Sequence, residues 1–220
     1  MSIEQPASEA EIRAILEQVD AIITGSHLVY TSGRHGSSYV NKDALYPHTA
    51  ATRQVCAAIA AHFQDADVEL VAGPTVGGVI MAQWVAHRLS KLTHRPVLAV
   101  YAEESGAQEE RRRVFRRGYD ELIAGKRVLV VEDVLTTGGS ARQVVDAVRD
   151  AGGQVVGLGA LCNRGGLTAA ALDVPAFVAL VTVPLESWDA AECPLCRAGV
   201  PINTRVGKGA AFLARQSTAS

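Results

Sequence analysis

Cysteine is scarce in this sequence: Cys56, Cys162, Cys193 and Cys196 are all that 220 residues contain. Four scattered thiols exclude a disulfide scaffold, and a chain of this length buries roughly 70 to 75% of its unfolded surface without one. A basic excess is also lacking. Lysine and arginine total 21 against 23 acids, a formal charge of -2, so nothing drives binding to nucleic acid through counterion release. No uninterrupted apolar stretch reaches the length of a bilayer span, and "MSIEQPASEAEIRAIL" has neither the basic start nor the apolar centre of a secretory signal. A cytoplasmic protein with no membrane or nucleic-acid partner is expected. Two phosphate motifs are missing as well. There is no Gly-x-x-x-x-Gly-Lys followed by Ser or Thr, which excludes a P-loop, and no Gly-x-Gly-x-x-Gly opens a helix after the first strand, which argues against a dinucleotide fold.

What is present is alternation. Ile12, Ile15, Leu16 and Val19 recur at the spacing of one buried face, so Glu9 to Val19 is predicted helical. In "GSHLVYTSGRHGSSYVNKDALYPH", short aromatic and β-branched runs broken by Ser-Gly and Gly-Ser pairs predict strands and turns. From Thr49 the pattern predicts a helix to about Phe63, a strand near Glu69 to Ala72, a helix from Gly78 to Ser90 and a strand from Pro96 to Tyr101. "KRVLVVED" reads as a buried strand and "GSARQVVDAVRDAGG" as a helix opened by Ser140 and closed by Gly152. "QVVGLGALC" and Phe177 to Val183 follow as strands. This order predicts a single α/β domain with a central, mainly parallel sheet flanked by helices. "EESGAQEERRRVFRRG", Glu103 to Gly118, breaks the rhythm with dense charge and is predicted to be an exposed, mobile loop. Residues 210–220 are predicted to form a frayed tail.

Within that frame "VLVVEDVLTTGGS", Val128 to Ser140, sets acids against an anion site. Glycines after a strand let backbone amides approach an anion, and the next helix adds its positive end. Thr136, Thr137, Gly138, Gly139 and Ser140 therefore form a candidate phosphate cradle. The same residues serve equally in an ordinary turn and cap. Glu132 and Asp133 would repel a neighbouring phosphate by about 1 to 4 kcal/mol for a close pair at surface-like dielectric. Sugar hydroxyls that donate to the carboxylates, or a magnesium ion shared with phosphate oxygens, remove that conflict. The residue order points to a ribose 5-phosphate, with its phosphate on the loop and its diol on the acids.

The stretch also resembles a known motif. Four apolar residues, Glu-Asp, a two-residue spacer and Thr-Thr-Gly-Gly-Ser are similar to the 5-phosphoribosyl diphosphate (PRPP) motif of type I phosphoribosyltransferases. "YTSGRHGSSYVNKDAL", "VAGPTVGGVIMA" and "ECPLCRAGVPI" resemble segments of the orotate phosphoribosyltransferase branch, so the resemblance runs from about Gly25 to Gly207. It implies the fold of that family, with a small hood formed by residues 20–48 and 185–209. It implies displacement at the anomeric carbon of PRPP, pyrophosphate leaving as orotate enters to give orotidine 5'-phosphate. Mg2+ is the implied cofactor, met indirectly by Glu132 and Asp133, which are also implied in catalysis. PRPP contacts are implied for Glu132, Asp133, Val134, Leu135, Thr136, Thr137, Gly138, Gly139 and Ser140, and for Thr75, Val76 and Gly77 on the pyrophosphate side. Thr136, Ser32, Gly33 and Tyr39 fall to the base side. Arg164 in "LCNRGG" falls to the orotate carboxylate, which an Arg fork matches bidentately. A surface Arg at a strand end is the other reading of Arg164, and a plain tight turn the other reading of Thr75 to Gly77. A homodimer that shares the charged loop between subunits is implied as well.

The sequence departs from the family in that loop. Relatives usually place a lysine near its start, whereas this chain has Glu103-Glu104 there and no lysine through Gly118. Arg111, Arg112 and Arg113, with Arg116 and Arg117 behind them, are the candidate catalytic replacements; the alternative is a solvated run paired with Glu109 and Glu110. Cys193 and Cys196 form a lone Cys-x-x-Cys. Zinc needs four ligands, so a metal there has to recruit a distant His or bridge two subunits, and reduced thiols are the expectation. Two further functions stay open: transfer to another base, such as a purine, and a non-catalytic regulator that senses PRPP. The short acidic stretch before Gly25 offers no DNA-binding unit for the latter.

Overall fold

The apolar runs become the inner strands of a six-stranded sheet in the computed structural model, which describes residues 7–30, 32–106, 111–184 and 186–218. In chain order the elements are α1 (Glu9–Gln18), β1 (Ile22–Val29), β2 (His35–Val40), α2 (Lys42–Leu45), α3 (Thr49–His62), β3 (Leu70–Pro74), α4 (Gly77–Thr93), β4 (Leu98–Ser105) and β5 (Arg112–Val114). There follow α5 (Tyr119–Ile123), β6 (Arg127–Leu135), α6 (Gly139–Asp150), β7 (Gln154–Asn163), α7 (Ala169–Leu172), β8 (Phe177–Thr182), β9 (Ser187–Trp188), α8 (Pro194–Arg197) and α9 (Gly209–Thr218).

The large sheet runs β5-β4-β3-β6-β7-β8, parallel throughout except for β5. Parallel strands buried on both faces need near-continuous apolar sequence, and Val128 to Val131 supply it at the centre. Their side chains alternate across β6. Leu129 and Val131 pack with Ile59, Met81 and Leu89 on one face, while Val128 and Val130 pack with Val144, Val145 and Val148 of α6 on the other. From β3 the chain crosses to β4 on one side, and then to β6 on the other. The β3–β6 junction is thus a topological switch point, where a crevice opens at the carboxyl ends of the strands.

A second sheet, β1-β2-β9, joins an N-terminal hairpin to the C-terminal segment. Arg34 ties the two together, donating to the Ser187 hydroxyl at 3.0 Å, the Ser187 carbonyl at 2.8 Å and Asp189 at 2.9 Å.

Three local expectations are corrected. Glu103 to Gly118 is not a loop throughout: Glu103, Glu104 and Ser105 pair antiparallel with Val114, Arg113 and Arg112, because β4 overruns the parallel core and the chain folds back along it. Glu109 and Glu110 lie outside the described residues; Arg111 and Arg113 pair with Glu104, and Arg116 and Arg117 with Glu103. Residues 209–218 form α9 rather than a frayed tail, since "GAAFLAR" is rich in helix formers and Phe212 stands edge-on to His35 at 4.8 Å between ring centroids. Ser140 does not open its helix either; α6 starts at Gly139, with Gly138 as its N-cap. Among the described residues no helix is long and apolar enough to cross a membrane.

Candidate active site

The two acids stand at the carboxyl end of β6, and both are buried. A buried carboxylate requires donors. Asp133 Oδ1 accepts the Val134 N–H at 2.7 Å, while Oδ2 accepts the Tyr46 hydroxyl at 2.9 Å and pairs with Lys42 Nζ at 2.9 Å. Glu132 Oε1 accepts the Asp133 N–H at 3.1 Å, and the Ser140 side chain also hydrogen-bonds Glu132. Burial, and then the neighbouring Asp133 charge, push the Glu132 carboxyl up to about 8. Burial likewise raises the Tyr46 hydroxyl, with Asp133 adding to it, so that Tyr46 remains a donor. For Lys42, burial opposes the charge, but the hydrogen bond and attraction of Asp133 outweigh it and its acidity is further weakened.

Close packing carries this geometry across the switch point. A Cβ on Gly77 would collide with Asp133 Oδ2 and the Tyr46 hydroxyl, so the start of α4 approaches the acids as only glycine allows. Gly77 is thus buried against the diacid, while Thr75 is half-buried and Val76 74% exposed where the chain leaves β3. Leu135 is buried and Val134 half-buried, whereas Thr136, Thr137 and Gly139 are exposed at the mouth of the crevice. Gly138 adopts φ 75° and gives α6 no side-chain cap; the Gly139 N–H donates to Thr137 Oγ1 at 3.4 Å, and the exposed start of this 12-residue helix suits an anion. Ser140 does not cap α6, since its side chain turns to Glu132, whereas Thr137 Oγ1 meets the Gly139 N–H as in an ordinary turn.

The base-side residues divide. Ser32, Tyr39 and Arg164 line one cleft of about 570 Å³ with Tyr30, Ser187, Gly207 and Lys208. Gly33 lines the neighbouring hollow with Lys208 and Phe212, and Thr136 lies at the phosphate loop, where its carbonyl abuts Gly165. Arg164 is half-buried and its Nε has no hydrogen-bond partner, while its backbone N–H donates to Leu135 at 2.8 Å. Arg164 thus stands at the end of β7, partly withdrawn from solvent.

Of the loop arginines, Arg113 alone among those described reaches the β3 side of the crevice. Its Nη1 donates to Thr75 Oγ1 at 2.9 Å, and its side chain is 11% exposed. Arg111 is 51% exposed beside Glu104, and Arg112 is exposed. Arg116 and Arg117 are turned toward Glu103.

Sequence reading missed Lys42, Tyr46 and Lys208. Two adjacent acids in an apolar strand end do demand a cation, which is the signal that Lys42 in "VNKDAL" answers.

The weakened acidity of Glu132 has a measurable consequence. In the free protein the folded chain holds its proton while an unfolded one has lost it, so Glu132 lowers folding stability as pH rises from 4.5 to about 8. Hydroxyls donating to the carboxylate favour its anion. Binding of PRPP at pH 7 is therefore expected to release close to one proton per chain, read by calorimetry in buffers of different ionisation enthalpy. Glu132→Gln is expected to abolish the buffer dependence; proton uptake on binding would contradict it.

Comparisons with known proteins bear on the whole arrangement. Residues 41–190 match the family described as phosphoribosyl transferase domain. The orotate phosphoribosyltransferase of Pelotomaculum thermopropionicum is 37% identical over 193 residues, covering 87% of this chain and 93% of that protein. That of Desulforamulus reducens is 36% identical over 191 residues, covering 87% and 93% respectively. Among solved structures, orotate phosphoribosyltransferase of Mycobacterium tuberculosis H37Rv in complex with PRPP matches with a TM-score of 0.59 at 26% identity, over 79% of this chain and 95% of that one.

Proposed function

We propose, from the premise that this chain belongs to the phosphoribosyl transferase family and within it to the orotate phosphoribosyltransferases, that it transfers ribose 5-phosphate from PRPP to orotate, releasing pyrophosphate. The observation that carries the reading is the crevice at the β3–β6 junction. Its strand ends carry the N-terminus of α6 and the buried diacid, and the half-buried Arg164 follows the neighbouring strand β7, a set that suits phosphate, diol and acidic base.

In this reading the amides of Thr136 to Ser140 hold the 5-phosphate, and Glu132 and Asp133 accept from the ribose hydroxyls and favour the cationic sugar that forms as the bond breaks. Lys42 and Tyr46 hold Asp133 in place. Thr75, Val76 and Gly77 receive the leaving pyrophosphate, whose growing charge Arg113 meets in place of a lysine. Arg164 grips the orotate carboxylate as Ser32, Tyr39 and Lys208 wall the ring. The ring nitrogen of orotate is already acidic, so no strong base is required.

Mg2+ fits this donor set in one way. Both oxygens of Asp133 already hold protein donors, so Glu132 and Asp133 would hold the ion indirectly, with PRPP bound. When bound, the ion neutralises charge on the pyrophosphate. The chain acts as a cytoplasmic homodimer in pyrimidine nucleotide synthesis, and Arg113 reaches Thr75 of its own chain without help from a neighbour.

A panel of bases tests this. With PRPP and Mg2+, orotate is expected to be consumed with equimolar pyrophosphate, while uracil, adenine and hypoxanthine are spared. Preference for a purine, or PRPP binding with no base consumed, would overturn it in favour of a salvage enzyme or a sensor.

A further inference from the structure

The Cys-x-x-Cys pair does not stand alone in three dimensions. His27 of β1 and His35 of β2 converge on Cys193 and Cys196, and one ligand atom from each of the four lies within 4.8 Å of all the others. His27 Nε2 is 2.9 Å from His35 Nδ1 and 3.6 Å from each cysteine sulfur, and Cys196 Sγ is 3.3 Å from His35 Nδ1. Zinc bonds of about 2.0–2.1 Å to nitrogen and about 2.3 Å to sulfur give tetrahedral edges of roughly 3.3 to 3.8 Å. The cluster is already near that size.

The surroundings prepare these atoms as ligands. His27 Nδ1 donates to the Val200 carbonyl at 2.7 Å, which leaves its Nε2 lone pair facing the cluster. Cys193, His27 and His35 are buried, with Cys196 at the outer edge. The cysteines flank a turn suited to chelation. Cys193 is the N-cap of α8 and accepts the Arg197 N–H at 3.1 Å, and Gly199 follows Cys196 with φ 65°. His35 Nε2 has no hydrogen-bond partner among the described residues. Without a cation, four converging electron-pair donors must share the few protons available; a cation satisfies all four together.

We propose that His27, His35, Cys193 and Cys196 bind a structural zinc ion. Two thiolates and two imidazoles in tetrahedral array select zinc, and four protein ligands leave no position for a substrate. The ion would staple the N-terminal hairpin to the C-terminal segment. These are the two pieces that bring Tyr30, Ser32 and Tyr39 against Ser187, Gly207 and Lys208 around the base-side cleft. The expectation of plain reduced thiols is thereby replaced, since both missing ligands are histidines more than 150 residues away, 166 for His27 and 161 for His35.

The test uses the full chain, purified without chelator or metal-affinity resin. Elemental analysis is expected to find about one zinc per chain, and removal by a strong chelator to lower the thermal midpoint by roughly 10 °C, reversibly on adding zinc. Cys196→Ser, at the exposed edge, is expected to lose the zinc. Because that variant can also misfold, Co2+ is loaded into the wild-type chain; thiolate-to-metal charge transfer with intense tetrahedral d–d absorption is expected. Iron in place of zinc, a Cys193–Cys196 disulfide, octahedral cobalt, or a midpoint indifferent to chelator and added zinc would each overturn the proposal. None of these readouts depends on the transferase reading.

Discussion

Arg164→Ala is expected to lower kcat/KM for orotate by roughly 30- to 1,000-fold, about 2 to 4 kcal/mol, with PRPP affinity held within a few-fold. The size follows from the loss of a charge-assisted fork in a half-buried setting. The selectivity follows from position: Arg164 lines the cleft with Ser32 and Tyr39, while the sugar-side acids have partners of their own. Its backbone N–H to Leu135 survives truncation, so the phosphate loop keeps its anchor. Arg164→Lys restores charge without the planar fork and is expected to recover part of the loss. Steady-state kinetics with each substrate varied in turn check this. An equal loss of PRPP affinity would mean that Arg164 supports the loop rather than the base.

Arg113→Ala is expected to lower kcat about 100- to 1,000-fold while changing KM for PRPP far less, as removal of one preorganised donor to a developing anion does. Arg113 already spans from β5 to Thr75, so in the proposed mechanism its guanidinium meets the leaving pyrophosphate. Arg117 is bound to Glu103 at 2.8 Å and 62% exposed, and Arg117→Ala is expected to stay within a few-fold of the parent. Equal losses in the two variants would point to the net charge of the segment rather than to one side chain. Single-turnover measurements separate this effect from product release.

How much of this was legible in the sequence depends on how local each feature is. Val128 to Ser140 carries strand, acids, glycines and helix start in one run, so the site's centre could be read directly. The alternation from Thr49 to Val183 gave the parallel sheet for the same reason. Lys42 and Tyr46 reach Asp133 across 91 and 87 positions, His27 reaches Cys193 across 166, and no spacing rule links such residues. β5 was hidden by charge, since "RRRVF" owes its pairing to the overrunning end of β4 rather than to an apolar face. α9 was passed over because "AAFLAR" looks like a small-residue tail until Phe212 finds His35.

The assignment of Val128 to Ser140 to a ribose 5-phosphate is tested most directly by calorimetric binding of ribose 5-phosphate against 2-deoxyribose 5-phosphate. If Glu132 and Asp133 accept from the diol, loss of one hydroxyl donor to a buried carboxylate costs about 1.5 to 3 kcal/mol. The deoxy sugar is then expected to bind roughly 10- to 150-fold more weakly, with the gap closing in Glu132→Gln and Asp133→Asn. Equal affinity of the two sugars for the unmodified protein would contradict it.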